Sequence, residues 1–96
     1  MPIAYARAEI AAADQFTAPV RLHGLFNLSI ERPGAAWTAT VTVQRSFDGG
    51  ATWNDVEAFG APAQRLGYEP EDGVLYRAGC KAGEFTSGVV PVRLSR

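Results

Sequence analysis

The sequence predicts an all-β fold, a small antiparallel β-sandwich or barrel-like domain of about seven or eight strands, on three observations. From Leu25 onward, apolar and polar residues alternate over most of the chain, the pattern of strands with one buried face. Ten glycines and six prolines punctuate the runs, at the spacing of roughly 8–12 residues expected of reversals between strands. In mid-chain, Ser46-Phe47-Asp48-Gly49-Gly50-Ala51-Thr52-Trp53 forms a hairpin corner, with glycines able to take the positive φ of a tight turn.

The chain has 96 residues, the size of one domain that removes roughly 60–65% of its unfolded surface from water on folding. Residues 16–96 are expected to form the sandwich and residues 1–15 an N-terminal arm or its first strand. The alanines of Ala6–Ala13 suit a helix, but Asp14-Gln15 and the strand pattern downstream favour a strand or an extended arm equally.

The first clear strand places Phe26, Leu28 and Ile30 on one face and Asn27, Ser29 and Glu31 on the other; Arg32-Pro33-Gly34 ends it. Trp37, Ala39, Val41 and Val43 then alternate with Thr38, Thr40, Thr42 and Gln44, giving a longer strand whose threonine face is expected in solvent. It enters the corner at Ser46 and returns from Thr52 to about Phe59, so residues 36–59 read as one hairpin, stopped by Gly60-Ala61-Pro62. Residues 63–68 suit a short edge strand, followed by an acidic turn at Glu69-Pro70-Glu71-Asp72-Gly73. Val74, Tyr76, Ala78 and Cys80 share one side of the next strand. In the last, Val90, Val92 and Leu94 alternate with Pro91, Arg93 and Ser95, and the proline points to an edge strand or a bulge.

Composition narrows the function. Hydrophobic residues make up 47% and charged residues 20%, and nine basic against ten acidic side chains leave a net charge of −1. That balance lacks the positive surplus for gripping nucleic-acid phosphates, and it offers little repulsion against self-association. Cys80 is the single cysteine and His23 the single histidine, so neither an internal disulfide nor a Cys/His metal cluster is expected. No run approaches the ~18 apolar residues of a membrane helix, and charges interrupt the N-terminus where a signal peptide needs an apolar core. A cytoplasmic, cofactor-free protein is the expectation.

The corner carries its own structural logic. Asp48 accepts hydrogen bonds from the turn, Gly49-Gly50 form the tip, the hydroxyls of Ser46 and Thr52 bond the same backbone, and Trp53 covers the flank. Ser46, Asp48, Gly50, Thr52 and Trp53 are therefore structural residues, and no catalytic residue is assigned. Asp48 with Asp55 forms the acid pair a glycosidase would need, but the turn consumes Asp48. His23 has no nucleophile beside it, Cys80 reads as a core thiol, and Glu69, Glu71 and Asp72 as a solvated turn. Trp37, Trp53, Tyr68 and Tyr76 are candidates for a sugar-binding face, against the ordinary reading that they fill the sandwich.

Two resemblances follow from these residues. The corner fills the pattern S-x-D-x-G-x-T-W of the Asp box, best known from sialidase-type β-propellers, where it recurs between blades and lies away from the catalytic centre. A propeller needs about four blades of four strands, beyond the reach of this chain, and the box occurs once; the glycosidase inference is set aside.

The segments Phe26-Asn27-Leu28-Ser29-Ile30, Ala39 through Trp53, Gly73-Val74-Leu75-Tyr76-Arg77, and Thr86-Ser87-Gly88 leading to Val92-Arg93-Leu94-Ser95 together resemble small accessory virion proteins of tailed phages. The resemblance implies a non-enzymatic decoration or cement protein on the phage head, bound to the major capsid protein and to copies of itself, as a trimer first and a dimer next. Assembly would occur in the host cytoplasm and the mature location would be the virion. A tail or fibre component, or a carbohydrate-binding β-sandwich module, is the alternative.

Overall fold

The computed structural model describes residues 5–31 and 36–96; the break expected at Arg32-Pro33-Gly34 lies outside them. Every regular element among the described residues is a strand: β1 Tyr5–Ile10, β2 Gln15–Phe16, β3 Val20–Arg21, β4 Gly24–Ile30, β5 Thr38–Ala39, β6 Val41–Ser46, β7 Asn54–Phe59, β8 Ala63–Glu69, β9 Leu75–Cys80, β10 Phe85–Ser87 and β11 Val90–Ser95. The fold is all-β, as the alternation predicts. β1, β4, β6, β7, β8, β9 and β11 are the strands of six or seven residues. Beyond the expected number are two- and three-residue pieces, too short to impose a period on the sequence.

Three antiparallel sheets result. The first has the order β1-β11-β4-β8; the second runs β2-β9-β6-β7, with β3 also on β9; β10 pairs with β5 in a small third sheet. The shortest dimension, 19 Å, suits two sheets packed about 10 Å apart with their outward side chains. Ile10, Phe26, Leu28, Ile30, Val90, Val92 and Leu94 face inward from the first sheet and Val41, Val43, Phe59, Tyr76, Ala78 and Cys80 from the second, all buried. Leu22, Trp37 and Val74 join them from the connecting segments. Phe26 and Tyr76 meet between the layers with ring centroids 4.8 Å apart and planes tilted by 53°, a favourable offset for aromatic quadrupoles.

Four expectations are corrected. The hairpin is shorter than 36–59: β6 and β7 pair from Val41↔Phe59 to Arg45↔Asn54, whereas β5 turns away to β10, and the Thr40 N–H donates to the Glu84 carbonyl at 2.8 Å. The threonine face is not solvated throughout. Thr38 is exposed, but Thr42 and Gln44 are buried: Thr42 lies in register with Gly79, where the Gln15–Phe16 backbone closes over the space of a missing side chain, and Gln44 is enclosed by its bonds to Asp55 and Arg77.

β11 is an interior strand, between β1 and β4, and not an edge. Its register with β4 begins at Val92↔Ile30, and the Pro91 carbonyl accepts the Glu31 N–H at 3.0 Å, beyond the end of β4. Nitrogen and carbonyl of a strand residue point to the same side, so the missing N–H faces the margin where the ladder has ended. Glu69, read as part of a solvated turn, is the last residue of β8 and fully buried.

At the N-terminus, Tyr5–Ile10 is a strand paired along its length with β11, and no helix forms over Ala6–Ala13. Ala6 and Ile10 are buried and Ala8 half-buried, so the alanines are the small inward residues of a strand.

Candidate functional site

The corner between β6 and β7 closes on itself. The Ser46 hydroxyl donates to Asp48 Oδ1 at 2.7 Å and accepts the Gly50 N–H at 2.9 Å. Thr52 donates twice, through its N–H to Oδ1 at 2.9 Å and through its hydroxyl to Oδ2 at 2.6 Å. Both carboxylate oxygens are engaged by the turn's own donors. Gly49 and Gly50 have φ of 73° and 97°, where a side chain would be strained. Trp53 passes 3.6 Å from the position a Cβ on Gly50 would take, and the Arg77 guanidinium lies 4.3 Å from the Trp53 ring and 4.1 Å from Phe16. The bonds depart from the expectation at one point: the Ser46 hydroxyl meets the turn backbone at Gly50, whereas the Thr52 hydroxyl meets the Asp48 carboxylate and not the backbone. The Thr52 hydroxyl, then the Thr52 N–H and Ser46, hold the Asp48 carboxyl down at about 2.

Asp55, the other half of the considered acid pair, belongs to a separate network. Its Oδ2 accepts from Lys81 at 2.7 Å and its Oδ1 from the Gln44 amide at 2.8 Å, and Lys81 foremost holds its pKa below the usual carboxylate value. The Gln44 carbonyl oxygen in turn accepts from Arg77 Nε at 2.9 Å, so the outer face of the second sheet is cross-linked from Lys81 through to Phe16 and Trp53.

A cleft of about 650 Å³ opens between the free edges of β7 and β8, above Phe26, Leu28, Val43 and Tyr76; Asp48 is not in its lining. Two arginines of its lining form ion pairs across the gap between sheets. Arg65 meets Glu57 at 3.3 Å, and Arg45 meets Glu69 at 2.9 Å. Glu69 also accepts from the Tyr76 hydroxyl at 2.6 Å and from the Glu71 N–H at 3.1 Å. Burial opposes ionisation of Glu69, but the bonds from Tyr76, Glu71 and Arg45 outweigh it and keep its pKa lowered. Burial first, and then Glu69, push the Tyr76 phenol up to about 12. This triad around the buried Glu69 was missed in the sequence, although Glu69 continues the inward parity of Ala63, Arg65 and Gly67; Pro70 drew the turn one residue too early.

The remaining candidates disperse. His23 is exposed and Cys80 fully buried, with burial pushing the thiol up and so away from the nucleophilic thiolate. Glu71 and Asp72 lie in solvent. Of the four aromatics considered for a sugar face, Trp37 is buried with its indole N–H on the Glu31 carbonyl at 3.0 Å, Tyr76 is buried, Trp53 is half-covered and Tyr68 alone is exposed. Among the described residues, no cluster of three His, Cys, Asp or Glu side chains is placed to hold a metal ion.

What the surface does present is apolar. Leu25, Leu66 and Tyr68 are 73%, 81% and 65% exposed, and they stand together on the outer face of the first sheet, with Leu25 opposite Tyr68 in the β4–β8 register. Fold and site together define a small all-β sandwich-like domain with an internally satisfied hairpin corner and an apolar outer edge. Comparison with protein-family models, curated proteins and solved structures gives no match for this chain.

Proposed function

We propose that this chain is a non-enzymatic structural virion protein that decorates or cements the head of a tailed phage, seated on the major capsid protein and on copies of itself. The observation that carries the reading is the contrast between its two kinds of surface. The chemically capable side chains at the corner and in the cleft are tied to one another, whereas Leu25, Leu66 and Tyr68 stand in water without a partner surface. Exposed apolar groups gathered on one face mark docking sites, and a docking protein needs no reacting group. The segment resemblance supplies the virion context.

Quantitative mass spectrometry of purified particles tests it. The expected result is a copy number comparable with that of the capsid protein, together with earlier rupture on heating of particles that lack the chain. Absence from particles, or a few copies per particle, contradicts head decoration; a few copies confined to separated tails would instead assign the chain to the tail or its fibres.

A further inference from the structure

We infer that a second copy of this chain pairs with the first along β8, antiparallel and edge to edge, so that the two first sheets become one continuous sheet. β8 runs over seven residues, Ala63–Glu69, in unbroken register against β4, and among the described residues no strand pairs with its other side. Such an edge carries a row of unpaired N–H and C=O groups unless it is guarded. β7, across the cleft, is guarded: its register shifts where Val43 faces Glu57 and Gln44 faces Asp55, leaving Val56 as the extra residue of a bulge. β8 has no bulge and no proline, and its inward charge, Arg65, is drawn across the gap to Glu57.

Charge and shape along β8 select a second copy as the occupant. The strand carries Arg65 before Gly67, whereas Glu69, Glu71 and Asp72 follow it, so reversing one strand beside the other brings basic beside acidic twice over. With the two-fold axis at Gly67, Arg65 of one copy comes alongside the exposed Glu71 of the other, next to the buried Glu69, whose carboxylate stays with Arg45 and Tyr76, and Leu66 stands opposite its Tyr68. Opposite charges and apolar pairs at facing positions are what stabilise an antiparallel ladder. Leu25, beside Tyr68, extends the apolar contact. At the axis, Gly67 has no side chain to obstruct the approach, and the Phe26 ring fills the space a Cβ there would need. The joint is a property of the pure chain and does not rest on the virion reading.

Sedimentation equilibrium of the full chain, without particles, tests it. The expected mass is twice the 10.3 kDa of one chain at concentrations of tens of micromolar. Leu66→Lys, at an exposed position that leaves the fold intact by circular dichroism, is expected to weaken the dimer about tenfold or more, the loss typical of a hot-spot residue. Arg65→Glu is expected to weaken it as well, and Arg65→Glu with Glu71→Arg to regain part of that loss, which the intramolecular Arg65–Glu57 bridge would not do. A monomer at about 100 μM, far above a micromolar dissociation constant, overturns the proposal. So does an assembly of three chains, or a dimer indifferent to Leu66→Lys and Arg65→Glu. These results bear on the self-association within the proposed function, whereas decoration of particles is decided separately by the copy number.

Discussion

Ser46 illustrates how one side chain can hold a turn. Its hydroxyl is fully buried and serves as both donor and acceptor inside the corner, so Ser46→Ala leaves the Gly50 N–H without its acceptor. Urea unfolding is expected to show a loss of about 1–3 kcal/mol, the cost of an unsatisfied buried group. Asp48 adds a pH dependence whose sign is fixed. Its pKa in the fold is about 2, below the ordinary 3.8, so the native state prefers the ionised form. The stability this contributes is present in full above the ordinary value and is lost as pH falls through about 2. Thermal melts between about pH 4 and pH 2 are therefore expected to fall less steeply for Asp48→Asn than for the parent chain. At Tyr76, replacement by Phe withdraws a hydroxyl donor from the buried Glu69 carboxylate; a loss of about 1.5–3 kcal/mol in the same urea measurement is expected, the range for hydrogen bonds to charged groups.

At the scale of elements, side-chain alternation discloses which residues face inward but is silent on which strand lies beside which. The run from Trp37 to Val43 reads as one strand because its parity never breaks, yet β5 leaves for β10 at Thr40 and only β6 continues into the corner. Parity also identified the buried sides of β4 and β9, and it would have placed Glu69 inside had the proline after it not suggested a turn. The threonine face failed for a different reason: the Gln15–Phe16 backbone occupies the place of a side chain on Gly79, the register partner of Thr42, and a two-residue strand leaves no periodic trace. Pro91 shows that an interior strand tolerates proline where its neighbour has already ended. Gly67 is an element-level constraint too, since the Phe26 ring occupies the place of its missing side chain. Gly67→Ala is expected to cost about 1–3 kcal/mol through overpacking, measured by chemical denaturation, whereas Gly60→Ala, with open space around it, is expected to cost much less.

For the whole molecule, the all-β class and the corner with its five structural residues were legible, because both follow from local rules: a period of two, and a turn whose donors and acceptor sit within a few residues of one another. The edge position of β8 was legible in outline at residues 63–68, whereas the order of strands and the Arg45–Glu69–Tyr76 triad were not, since each depends on residues carried on separate strands. The division that emerges separates an interior held by the corner and the triad from an exterior that docks. Differential scanning calorimetry of Asp48→Ala beside Leu66→Lys tests that division most directly. The expected result is that Asp48→Ala melts measurably below the parent, while Leu66→Lys melts with the parent at concentrations low enough to keep both monomeric. An Asp48→Ala chain that melts with the parent would contradict the claim that the corner holds the fold.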